Sequence, residues 1–142
     1  MTTVLSHTVV RRLLPILTPA WVVFLFWVST YTRGELPPAG SSAGFPSLTV
    51  AEALHLGGYG LLASLLMLST WAVFPRMAVL PVPLISSFVA ASAYGAALEL
   101  YQTTLSTRAG TWGDVALNAT GAALALAVLT KLRPLQGSAT GL

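Results

Sequence analysis

ELYQTTLSTRAGTWGDVALNATG, from Glu99 to Gly121, decides how this chain is read. On both sides of the stretch lie long apolar runs. Inside it sit Glu99, Gln102, Arg108, Asp114 and Asn118. An ionisable side chain in hydrocarbon costs roughly 2.5–3.5 kcal/mol even on lenient insertion scales. Only 8% of the 142 residues are charged and 55% are hydrophobic, and mean hydropathy is +0.77. Soluble domains carry about 25% charged residues, so the composition describes a membrane protein that has gathered several of its few charges together.

Working outward, four apolar stretches are long enough to cross about 30 Å of hydrocarbon, which takes roughly 20 helical residues. They fall near residues 13–31, 50–74, 77–104 and 112–132. The expected fold is all-α, a compact bundle of four transmembrane helices forming one domain over residues 1–133, with a frayed tail at 134–142. Pro81 and Pro83 open the third stretch, so its helix is expected to start near Pro83, with proline in the first turn. Pro15 and Pro19 imply a kink or a late start in the first. That span reads as an uncleaved anchor, because no small-residue cleavage site follows it closely. The Pro-, Gly- and Ser-rich stretch 32–49 reads as a loop.

Arg11, Arg12, Arg76, Lys131 and Arg133 fall on one side of this arrangement, and Arg33 and Arg108 on the other. Lysine and arginine accumulate on the cytoplasmic side, so both termini are expected inside, in a bacterial inner membrane. Trp21, Trp27, Tyr31, Trp71 and Trp112 include several near span ends, where aromatics anchor. The chain has no cysteine, which removes disulfides and thiolate metal sites. The net charge of +3 forms no basic patch, so no nucleic-acid partner is expected.

In this orientation the start of span two, the end of span three and the start of span four share the outer side. Glu52, His55 and Tyr59 share one helical face, as do Glu99 with Gln102 and Asp114 with Asn118. They converge as a cluster just under the outer headgroups, with Arg108 above it. Glycine and alanine in spans two to four permit close helix approach. Span one is bulkier and more peripheral.

Each residue has a structural reading as well. Glu99 with Arg108 is either a pocket or a buried pair holding the loop. Thr111-x-x-Asp114 has the form of a helix-start capping box. Asn118 and Gln102 serve as interhelical glue. His55 is a core histidine, an acid–base group, or an axial ligand of a tetrapyrrole, since Ala51-x-x-x-His55 has a spacing seen around pigment-binding histidines. His7 lies across the membrane and cannot complete a bis-histidine site. A metal site from His55, Glu52, Glu99 and Asp114 has no zinc-type spacing on any one helix. No metal or cofactor is therefore expected.

The pattern Glu99-x-x-Gln102, Arg108, Asp114-x-x-x-Asn118-x-x-Gly121 resembles the C-terminal signature of VanZ-like membrane proteins. His55 followed by Tyr59 resembles that family's upstream histidine and aromatic. The resemblance spans roughly residues 50–130. It departs at Glu52, where family members usually carry lysine. It implies an outward polar pocket of Glu52, His55, Tyr59, Glu99, Gln102, Arg108, Asp114 and Asn118. The expected ligand is lipid-linked or belongs to the cell envelope. If chemistry occurs, Glu99, Asp114 and His55 are the catalytic candidates. The competing expectation is a small accessory subunit of a larger membrane complex, with or without pigment, in which the cluster only stabilises the fold. Membrane lipids are partners in either case.

Overall fold

The computed structural model describes residues 2–30, 50–79, 81–105 and 110–132. Arg33, Arg108, Arg133, Tyr31, the 32–49 loop and the 134–142 tail, all assigned roles from sequence, lie outside the described residues. The elements are α1 (Thr2–Thr30), α2 (Val50–Val73), a 3-10 turn (Pro75–Val79), α3 (Val82–Gln102) and α4 (Trp112–Leu132). All four helices are long and apolar enough to cross a membrane, the make-up of a multi-pass membrane protein.

Where helices begin follows from local chemistry. Pro81 caps α3 and Pro83 occupies its first turn, where a missing N–H costs nothing. Pro81 and the 3-10 turn hold the start of α3 at Val82, so the third helix is shorter than the apolar run 77–104. Thr111 caps α4: its hydroxyl accepts the Asp114 N–H at 3.1 Å and donates to Asp114 Oδ2 at 2.9 Å. Of the kink or late start expected from Pro15 and Pro19, the late start does not occur. The helix runs unbroken through Pro15 and Pro19 from Thr2. Membrane helices tolerate internal proline where neighbouring groups satisfy the freed carbonyls.

Helix α2 sits at the centre and touches all three others, most extensively α4. Small residues permit this. A Cβ on Gly121 would collide with the Leu56 carbonyl, and one on Gly60 would lie 3.0 Å from the Gly121 oxygen. The apolar core is Leu25 of α1, Tyr59, Leu62, Ala63 and Met67 of α2, Ala91 and Leu98 of α3, and Ala122 and Leu126 of α4.

Helix α1 is peripheral by area: 6% of its span is buried against 39% of α2. It is held by Leu25, buried in the core, and by a polar clasp. Trp21 Nε1 donates to the Gly58 carbonyl at 2.9 Å, and the Tyr94 hydroxyl to Val22 O at 2.7 Å. Gln102 Nε2 donates to Ser29 O at 2.9 Å, and the Thr18 and Ser69 hydroxyls pair at 2.8 Å. Hydrogen bonds between membrane helices each contribute about 0.6–2 kcal/mol. Trp21 thus joins helices rather than anchoring an interface. Trp112, 87% exposed at the start of α4, remains available to anchor one.

Candidate functional site

Three helix ends meet on one side of the bundle. His55 lies five residues into α2, Glu99 three residues before the end of α3, and Asn118 six residues into α4. At 1.5 Å per residue these positions are about 5–9 Å inside their helix ends. Glu99 is 3% exposed and Asn118 is fully buried, whereas the side chains of His55 and Asp114 are 18% and 19% exposed. The cluster is closed on its bundle side and partly open at the rim.

The His55 ring is held on several sides. Nδ1 lies 2.8 Å from Asn118 Oδ1, and an amide oxygen only accepts, so Nδ1 carries the hydrogen. The same edge faces Glu99 Oε1 at 3.8 Å. The opposite edge presents Nε2 to Asp114 Oδ1 at 3.7 Å. One imidazole therefore stands between carboxylates from two other helices. Its ring runs parallel to Tyr59, with centroids 6.4 Å apart and planes 2° apart.

The carboxylates are oriented in turn. Glu99 Oε2 accepts the Thr111 backbone N–H at 3.3 Å. In a capping box the N3 side chain would return to that N–H. Here Glu99 takes the N–H, while Asp114, the N3 residue, bonds the Thr111 hydroxyl. Glu99 thus ties the end of α3 to the start of α4 across the connecting loop. A Cβ on Gly110 would collide with the Glu99 carbonyl, so only glycine lets the loop lie this close.

Of the residues assigned to the site from sequence, His55, Glu99, Asp114 and Asn118 come together, with Tyr59 beneath them. Gln102 gives its amide nitrogen to the Ser29 carbonyl of α1. Glu52 lies outside the group of donor atoms formed by His55, Glu99 and Asp114. Arg108 lies outside the described residues. Sequence reasoning missed two contributors, Thr111 as the donor to Glu99 and Gly95 as the space for Asn118. A Cβ on Gly95 would lie 2.9 Å from both Asn118 Nδ2 and Tyr59 Cε1. Gly95 stands four residues before Glu99, on the same helical face, which was the available signal.

Chemically the cluster can accept hydrogen bonds, hold positive charge, and move a proton through the two edges of one imidazole. The open groove on another part of the surface, lined by Gly57, Gly60, Leu61, Ser64, Leu124 and Val128, is almost wholly apolar and offers none of this. Compared with protein-family models, curated proteins and solved structures, the chain matches none.

Proposed function

We propose that this chain is a VanZ-like protein of the bacterial inner membrane, with both termini cytoplasmic. Its outward-facing polar cluster binds, or acts on, a lipid-linked or cell-envelope ligand. The observation that carries the reading is the His55 ring set between the carboxylates of Glu99 and Asp114. Ionisable groups inside membrane helices are costly, and function is their default explanation. The five-to-two distribution of basic residues supports the orientation. The carboxylates would accept donors from a hydroxyl, amide or ammonium group of the ligand, and Arg108 would engage an anionic one. If a reaction occurs, His55 is positioned to take a proton from the ligand on one edge while Glu99 or Asp114 stabilises the charge formed.

A second reading is favoured by the Glu99–Thr111 and Thr111–Asp114 bonds, which are structural. In it the chain is an accessory subunit and the cluster only closes the α3–α4 connection.

Purification in mild detergent with native mass spectrometry separates the two. The wild-type protein is expected to retain a polar-headed lipid or envelope fragment. Glu99→Gln and Asp114→Asn are expected to lose it about tenfold or more, with helix content and monodispersity unchanged. Equal retention by the variants, or a constant-stoichiometry partner chain in place of a ligand, favours the accessory-subunit reading.

A further inference from the structure

We propose that His55, Glu99 and Asp114 form a binding site for a first-row divalent cation such as Zn²⁺ or Mn²⁺. The inference rests on the reading of this cluster as a functional site, and it assigns that site a metal. No single helix carries a metal-binding spacing, which is why none was expected from sequence. The fold supplies the donors from three helices instead.

Donor geometry comes first. One ligand atom from each of the three residues lies within 4.8 Å of the others. Ligand bonds of about 2.0–2.2 Å place tetrahedral donors about 3.4 Å apart. The His55 Nε2–Asp114 Oδ1 separation of 3.7 Å is already near that, whereas Glu99 Oε1 stands 3.8 Å from the other ring nitrogen, Nδ1, and must turn toward Nε2 to complete the set.

The second observation comes from Asn118. Asn118 is fully buried, its Nδ2 has no hydrogen-bond partner, and its Oδ1 fixes His55 Nδ1 as a donor. In the neutral ring Nε2 therefore bears a lone pair. That lone pair faces the Asp114 carboxylate, so two acceptors confront each other with no hydrogen between them. Either a proton on Nε2 or a bound cation resolves the conflict. The arrangement also has the form of an orienting outer shell, in which a ligating histidine gives its other N–H to a carbonyl.

Charge and access agree. Two carboxylates and a neutral imidazole offset a dication. Glu99 directs Oε2 to Thr111 and presents Oε1 to the histidine. Partial exposure of His55 and Asp114 leaves an entry route and coordination positions for water or ligand. One nitrogen with carboxylate oxygens suits zinc, manganese or iron(II). Magnesium prefers an octahedral all-oxygen shell and gives up its water reluctantly.

The full chain in detergent or nanodiscs, stripped with chelator, is titrated with Co²⁺ and followed by its visible d–d absorption. Zn²⁺ is then added as competitor. The wild type is expected to develop a saturable d–d band at one ion per chain, bleached by Zn²⁺ and unaffected by Mg²⁺. His55→Ala and Asp114→Asn are expected to lose the band. Asp114→Asn keeps a side-chain acceptor for Thr111 and so protects the fold. Asn118→Ala is expected to weaken binding by about tenfold or more, and His7→Ala to change nothing. Absence of a saturable band in the wild type, or a band kept by folded His55→Ala, overturns the metal site. Loss of lipid from Glu99→Gln in that case leaves the ligand-binding reading standing. A metal band without any retained lipid supports the site and removes the lipid.

Discussion

Gly121→Ala is expected to destabilise the bundle by about 3 kcal/mol, at or above the usual cost of overpacking. The single added methyl would meet the Leu56 carbonyl, which is backbone and cannot rotate away. Separating α2 from α4 to make room breaks the most extensive helix contact in the protein. It also moves Asn118, one turn earlier in α4, away from His55. Gly57→Ala is the control. A Cβ there meets nothing within 4 Å, and alanine is the better helix former by about 0.5–1 kcal/mol. Thermal unfolding in detergent should show a large fall for the first and no loss for the second. Comparable melting of the two proteins would mean that α2 and α4 do not pack as described.

Asn118→Ala is expected to lower stability by about 1–3 kcal/mol, the cost of leaving a largely buried donor without its acceptor. Its effect on the site should be larger than its effect on the fold. Without Oδ1, only the more distant Glu99 Oε1, at 3.8 Å, faces Nδ1, and the other tautomer or a turned ring becomes accessible. Nitrogen-15 NMR on a His7→Ala background, in which His55 is the remaining histidine, reads this directly. The parent protein should show Nδ1 protonated, and Asn118→Ala a mixed or reversed tautomer. An unchanged spectrum would assign the orientation of the ring to something other than Asn118.

Much of the bundle was legible because its signals are local. The apolar run from Trp112 to Leu132 has a capping residue in front of it, and α4 begins where that cap places it. The third helix begins at Val82, beside the Pro83 where the prolines place its start, although the apolar run itself extends back to Met77. Hydropathy cannot separate a 3-10 turn from a helix. A late start of α1 at Pro15 and Pro19 is not what the structure shows, because membrane helices tolerate internal proline better than its cost in water implies.

The convergence of His55, Glu99, Asp114 and Asn118 was legible once the spans were placed in order, since antiparallel neighbours bring helix ends to one level. Partner identity was not. Whether Gln102 faces the cluster or Ser29 depends on helix rotation, which periodicity in an almost uniformly apolar helix does not fix. The Thr111–Glu99 bond depends on how closely the loop lies on α3, and that follows from Gly110. A metal-ligand set divided among three helices leaves no spacing to read.

The convergence itself can be measured by cross-linking in native membranes, since the chain has no cysteine of its own. Cysteines at His55 and Asn118 should be joined rapidly by a short bis-methanethiosulfonate reagent. The pair at His55 and Leu124, whose side chain is 60% exposed on α4, should not be. The reverse order, or no joining of 55 to 118, would mean that the polar side chains of α2 and α4 do not face each other, and the site would not exist.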